Sequence, residues 1–182
     1  IKGNLKGCFE EDPEYPGYTL EHYVDDCLKY VKNMPTHWTP FGHTAITLHV
    51  KAPIFIARQL GKHQVGLVWN EVSRRYVTDT PEFYFPDVWR KKADNVKQGS
   101  SDEEVDIDLL YVHPETHFED SLALYNDMLD LGVCAEQARM VLPQNMYTEW
   151  YWTGNLYSFA NLYIQRSDSH AQREVQEIAK QV

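Results

Sequence analysis

The chain has 182 residues and 21.3 kDa; 43% of its residues are hydrophobic and 24% charged, the balance of an ordinary globular domain. That length predicts a single domain over residues 1–182 with a sizeable core. A net charge of -10 and a pI near 5.2 argue against a nucleic-acid coat, and no apolar run is long enough to cross a bilayer.

Three cysteines, Cys8, Cys27 and Cys134, are scattered and form no CxxC pair. This points to a reducing compartment, the cytoplasm, and away from a disulfide framework or a zinc site. No signal-peptide pattern opens the chain, and with Ile1 rather than Met in first place a few N-terminal residues are expected to be missing or trimmed.

After a turn-rich start over residues 10–17, Thr19 is expected to cap a helix. Leu20, Tyr23, Val24, Cys27, Leu28 and Val31 fall on one face of it. Pro35 and Pro40 bracket a loop holding His37, Trp38 and Thr39. Ile46, Leu48 and Val50 alternate with polar residues as in a half-buried strand. Pro53 suits the first turn of a helix from Ile54 to Leu60, with Gly61 at its end. Residues 62–69 read as a loop, residues 70–77 as a polar segment, and residues 82–85 as a strand stopped by Pro86. The segment from Arg90 to Glu104 reads as an exposed polar excursion.

Phe118, Leu122, Tyr125 and Leu129 form a helical stripe closed by Gly132. A short helix is expected from Ala135 to Leu142, stopping before Pro143, and a strand from Met146 to Trp152. Asn155 caps a helix to Arg166, and a last helix follows from His170. The pattern predicts one compact α/β domain with a modest central sheet, largely antiparallel, covered by helices.

Charge is unevenly spread. Residues 102–130 carry many carboxylates and no Lys or Arg, whereas Arg58, Lys62, Arg74 and Arg75 are opposed locally only by Glu71. A basic island in an acidic chain reads either as a small-anion site or as a solvated basic face. His37, His43, His49 and His63 match no metal-ligand spacing, so no metal is expected. Ser73 lacks a GxSxG elbow, and GxGxxG and Walker loops are absent. Phosphates would therefore be held by side chains: Arg58, Lys62, Arg74, Arg75, Arg139 and Arg166. Alternatively, Arg139 and Arg166 pair with carboxylates such as Glu136 or Asp168, and Asn155 and Asn161 are a cap and a surface amide.

The stretch Val50-Lys-Ala-Pro-Ile-Phe-Ile-Ala-Arg-Gln59, then Lys62-His63-Gln64, then Asn70-Glu-Val-Ser-Arg-Arg-Tyr76 resembles the signature of the flavin-dependent thymidylate synthases. So does the loop His37-Trp-Thr-Pro-Phe-Gly-His43. Ala138-Arg-Met-Val-Leu-Pro143, Asn155, Asn161 and Arg166-Ser-Asp-Ser-His-Ala-Gln172 follow the family's order and spacing. The resemblance spans roughly residues 37–172, the variable middle aside. It implies methylation of dUMP with FAD, methylenetetrahydrofolate and NADPH, in a homotetramer whose active sites are shared between subunits. Thr39, Lys62, His63, Gln64, Asn155 and Asn161 would line the FAD site. Gln59, Glu71, Ser73, Arg74, Arg75 and Arg139 would hold the nucleotide, and Arg166 would stabilise the pyrimidine as its N3 anion. A related enzyme adding another group, such as hydroxymethyl, and a non-catalytic nucleotide-binding relative are the alternatives.

This chain departs from the family pattern on the flavin side. Lys62-His63-Gln64 stands for Arg-His-Arg, and the interval from His63 to Asn70 is one residue longer. Gly42 replaces an acidic residue and Tyr157 an arginine.

Overall fold

The alternation Ile46-Thr-Leu-His-Val-Lys-Ala-Pro53 gives strand β1 (Ile46–Pro53), with Val50 and Ala52 buried on one face and His49 and Lys51 exposed on the other. Its partner is the central strand, Tyr147–Gly154, antiparallel in the register Val50↔Trp150 and Leu48↔Trp152. The computed structural model describes His22, Asp25, Asp26, Lys29, residues 38–94 and residues 99–182. The helix expected from Thr19 lies outside these residues except for His22, Asp25, Asp26 and Lys29, which are helical; His37 also lies outside them.

Thr39–Gly42 forms α1, one helical turn started by Pro40, where a loop was expected. After β1, Pro53 caps α2 (Ile54–Leu60), which ends at Gly61 as read from sequence. Next comes β2 (Leu67–Glu71), a strand where the sequence reads as loop and polar segment. Its two inward-leaning residues, Leu67 and Trp69, gain their meaning only by pairing: Trp69 lies opposite Trp152 and stacks on Trp150 with centroids 4.1 Å apart. The sheet order is β1, the Tyr147–Gly154 strand, β2.

Residues 82–85 do not form a strand. Tyr147 N–H donates to Glu82 O at 2.8 Å and Tyr84 N–H to Asn145 O at 2.9 Å, leaving one bridge, Phe83↔Met146. Pro81 and Pro86 flank it and lack the N–H groups needed to extend the ladder. The expected polar excursion is instead a hairpin, β3 (Arg90–Lys92) and β4 (Ser100–Glu104).

Helix α3 (Pro114–Asp130) buries Tyr125 of the predicted stripe fully and its Phe118, Leu122 and Leu129 in part, and it also buries Ser121, which the stripe did not include. Gly132, at φ +88°, closes it as expected, its N–H donating to Leu129 O. The next predicted helix splits into α4 (Ala135–Ala138) and a 3-10 turn (Arg139–Val141), tightening ahead of Pro143. The central strand is β5 in chain order. Asn155 then caps α5 (Leu156–Arg166), its side chain accepting from Ser158 N–H at 2.8 Å. The last helix, α6 (Arg173–Gln181), begins three residues later than expected. Asp168 accounts for the delay: its carboxylate takes the backbone N–H of His170, and its carbonyl takes that of Ala171, so this stretch is a turn.

One face of the sheet carries Val50, Ala52, Trp150 and Trp152 onto Ile56, Leu60, Phe159, Leu162, Val175 and Ala179 of α2, α5 and α6. Burying such large apolar side chains contributes about 1.5–3 kcal/mol each. The opposite face is open, with Tyr151 and Val68 exposed and His49 paired to Glu149 at 2.9 Å. No helix among the described residues is long and apolar enough to cross a membrane.

Candidate functional site

Helices α2, α5 and α6 share one apolar face of the sheet, and the segment after α2 touches α5 at both ends, at Arg166 and at Ser158 and Asn155. Near the C-terminal end of α5, Arg166 Nε donates to His63 Nε2 at 2.8 Å. At its N-terminal end, Gly66 packs against Ser158 and Asn155. Gly66 has φ +71°, and a Cβ there would collide with Ser158 Oγ, so both conformation and space favour glycine. Thr44 Oγ1 accepts from Leu156 N–H at 2.7 Å and docks the α1 segment on the same end; Trp38 packs on Tyr157 with centroids 5.5 Å apart.

The six residues expected at the flavin thus divide between the two ends and the body of α5. Asn155 is at the N-terminal end, with Thr39, exposed on α1, in the segment docked there. Lys62 and His63 follow α2, beside the C-terminal end. Gln64 is exposed between them, and Asn161 is half-buried within α5. Asn155 is a cap, as the sequence allowed, but capping uses only its Oδ1 and leaves Nδ2 as a donor.

Around Arg166 opens a cleft of about 1000 Å³, lined among others by Gln59, Lys62, Arg90, Asp168, His170 and Gln172. Arg166 does not pair with Asp168, whose carboxylate is taken by His170 at 2.8 Å. Its partner is the His63 ring. Burial first, and the Arg166 charge second, push the His63 pKa below its ordinary 6.5. The neutral ring accepts at Nε2, so its proton sits on Nδ1. Arg166 therefore keeps its full charge, oriented by a neutral partner. Gln59 Nε2 donates to Gln172 Oε1 on the wall of the same cleft.

A second cleft, about 520 Å³, holds Arg58, Glu71, Ser73, Arg74 and Arg139. Glu71 is fixed by Thr148 Oγ1 at 2.7 Å and Trp69 Nε1 at 3.2 Å, so its carboxylate is presented as a rigid acceptor. Arg74 donates to the carbonyl of Asp79. Arg75 Nε donates to Ser73 Oγ at 3.3 Å and its guanidinium lies over the Tyr76 ring. Arg139 is exposed and donates to the backbone oxygen of Glu136 rather than pairing with its carboxylate. The residues expected to hold a nucleotide are therefore not all brought together. Gln59 and Arg166 line one cleft, and Glu71, Ser73, Arg74 and Arg139 line the other. Neighbouring residues of α2, Arg58 and Gln59, face the two clefts separately.

Sequence reasoning missed Arg90, whose signal was buried in a stretch read as solvated, and gave Gln172 no role although it closes the last motif. Among the described residues no group of three or more His, Cys, Asp or Glu side chains could hold a metal ion.

Residues 8–182 match the family described as thymidylate synthase complementing protein. The flavin-dependent thymidylate synthase of Thermosipho africanus is 44% identical over 149 residues, covering 79% of this chain and 63% of that protein. That of Thermosipho melanesiensis is 43% identical over 177 residues, covering 93% and 69%, and that of Thermus thermophilus 38% over 146 residues, covering 80% and 53%. The chain thus spans between about half and two thirds of the length of these relatives. Among solved structures, the UMP/dUMP methylase PolB of Streptomyces cacaoi bound with 5-Br dUMP is similar at a TM-score of 0.76 and 28% identity, over 99% of this chain and 80% of that one. The same protein bound with 5-Br UMP gives 0.75 and 29%, over 87% and 75%.

Proposed function

The chain belongs to the thymidylate synthase complementing protein family, and from that premise we propose that it methylates dUMP to thymidylate. FAD is its cofactor, and methylenetetrahydrofolate and NADPH are co-substrates. The observation that carries this reading is Arg166: a guanidinium held by a neutral histidine, unpaired with any carboxylate among the described residues, in a large cleft. A fixed, uncompensated positive charge of this kind stabilises a pyrimidine ring as its N3 anion.

The residues assigned to the flavin fit it. Lys62 and Gln64 are exposed donors with no side-chain partner among the described residues, and Asn155 retains Nδ2. A donor set of this kind suits a diphosphate. Bound FAD, once reduced, supplies the hydride. Thr39, His63 and Asn161 complete the assigned set, with the His63 ring also orienting Arg166.

Gln59, Glu71, Ser73, Arg74, Arg75 and Arg139 hold the nucleotide in this reading. Ser73 Oγ orients the Arg75 guanidinium toward phosphate, and Glu71 offers an acceptor that Thr148 and Trp69 keep from rotating. Because all of these residues except Arg75 face one or other of two clefts, we assign a complete site to the meeting of one chain's Arg166 cleft with a neighbour's Glu71 cleft, in a homotetramer.

The test is incubation of purified protein with FAD, dUMP, methylenetetrahydrofolate and NADPH, with the product mass measured and a parallel arm on UMP. Thymidylate is the expected product. A hydroxymethyl product would replace the methylation reading, and dUMP binding without any product would reduce the protein to a nucleotide binder.

A further inference from the structure

Two of this chain's departures from the family pattern, Gly42 for an acidic residue and Tyr157 for an arginine, lie far apart in sequence but meet at one side chain. That side chain is Trp38, the cap residue of α1, and Tyr157 stands in the first turn of α5. The rings of Trp38 and Tyr157 have centroids 5.5 Å apart and are tilted by 40°. A Cβ on Gly42 would stand 3.6 Å from Cζ3 of the same indole, so an acidic side chain there would start against the ring. Exchanging acid for glycine and arginine for tyrosine takes one charge of each sign from around Trp38 and leaves an aromatic pair.

The pair is not buried. Trp38 is 50% exposed and Tyr157 41%. They sit at the end of α5 that carries Asn155, and the hydrogen bond between Thr44 and Leu156 docks the segment of Thr39 there too. Rings tilted by 40° cover each other only in part, so apolar ring surface is left in water beside two residues assigned to the flavin. Such a surface has little to offer a phosphate. It suits a flat heteroaromatic ring, which gains by stacking.

FAD carries two such rings, and the geometry separates them. Hydride transfer requires the reduced flavin ring to touch the pyrimidine that Arg166 holds, at the C-terminal end of α5. At a rise of about 1.5 Å per residue, Tyr157 lies about 13 Å along the helix from Arg166. The exposed donor Gln64 falls between the two ends, where a diphosphate would join the rings.

We propose that Trp38 and Tyr157 form a stacking platform for the adenine ring of FAD, in place of the guanidinium groups that Gln64 and Tyr157 have displaced. This rests on reading the protein as flavin-dependent. Three ligands separate the parts of the cofactor: FAD itself, FMN, which has the reacting ring and no adenine, and ADP, which has adenine and no flavin.

The experiment titrates wild type, Trp38→Phe, Trp38→Leu and Tyr157→Leu apo-proteins with each ligand and records thermal midpoints. Trp38→Leu is expected to raise the Kd for FAD and for ADP about tenfold, the weight of one stacked base, and to leave that for FMN within about twofold. Tyr157→Leu is expected to act in the same direction, about fivefold. Trp38→Phe keeps a ring and is expected to bind FAD within about threefold of wild type. Folded Trp38→Leu and Tyr157→Leu proteins that bind FAD as the wild type does overturn the proposal. So does an equal loss for FAD and FMN, which is what a contact that only holds Thr39 and Asn155 in place would give. If the wild type binds neither flavin, the flavin reading itself fails, and ADP decides the platform. ADP that binds the wild type and is weakened about tenfold by Trp38→Leu upholds it; any other result for ADP overturns it.

Discussion

Arg166 Nε donates to His63 Nε2 at 2.8 Å, joining residues 103 positions apart. The bond exists only while the imidazole is neutral, and burial together with the Arg166 charge keeps it so. The unfolded ring takes its proton at its ordinary 6.5, the folded ring at a lower pH. Its contribution to stability is thus fully present above pH 6.5 and is lost as pH falls through the folded value. In an NMR titration the His63 midpoint is expected below 6.5. Arg166→Ala should raise it without restoring 6.5, because the ring stays buried. A wild-type midpoint at or above 6.5 would refute the arrangement.

Replacing Arg166 separates charge from fold. The residue closes α5 and is only half-buried, so Arg166→Ala is expected to remain folded. Losing a guanidinium aimed at a developing ring anion is expected to lower kcat about a hundredfold or more. Arg75→Ala is expected instead to raise KM for dUMP with little change in kcat, since ground-state phosphate is its assigned target. Near-wild-type kcat in Arg166→Ala would remove the assigned role.

Gly66→Ala tests the seat of the loop on α5. A left-handed conformation costs an L-residue about 1–2 kcal/mol, and the new methyl would also displace Ser158 Oγ. At about 2–4 °C per kcal/mol for a chain of this size, a fall in thermal midpoint of several degrees is expected. Circular dichroism melts decide it, and an unchanged midpoint would show that the loop is seated elsewhere in solution.

The Gln64 position carries the flavin question. A charge-assisted hydrogen bond contributes about 1.5–3 kcal/mol against about 0.5–1.5 for a neutral one, so glutamine in place of arginine loosens FAD by roughly tenfold if nothing compensates. Gln64 is exposed, which leaves room for a longer side chain. Gln64→Arg is expected to tighten FAD, measured by titrating apo-protein and comparing melts. Equal affinity in Gln64→Arg, Gln64→Ala and wild type would mean that this side chain does not touch the cofactor.

Assembly is the remaining test. With Gln59 and Arg166 in one cleft and Glu71, Ser73 and Arg139 in another, activity is expected to require association. Sedimentation should find active protein as a tetramer. Mixing inactive Arg166→Ala with inactive Glu71→Ala subunits should recover a fraction of wild-type turnover, because some mixed sites then hold neither lesion. An active, flavin-loaded monomer contradicts this.

The sequence alone determined the elements whose signals are local. Asn155 as a cap, Pro53 and Gly61 around α2, Gly132 after α3 and the alternation in β1 each depend on a few neighbouring residues, and each stands where it was read. The ordered motifs likewise identified the family, because they preserve residue type and spacing. Tertiary structure decided the rest. Leu67–Glu71 becomes a strand because β5 offers a free edge and Trp150 a stacking surface, neither visible from five residues. Arg90 looked solvated until Glu174, 84 positions away, came within 2.7 Å. The partner of Arg166 proved to be His63 rather than nearby Asp168, which its own turn had already claimed for His170. Propensity and capping act over one turn of chain, whereas strand pairing and buried charge depend on distances that exist only once remote segments have packed.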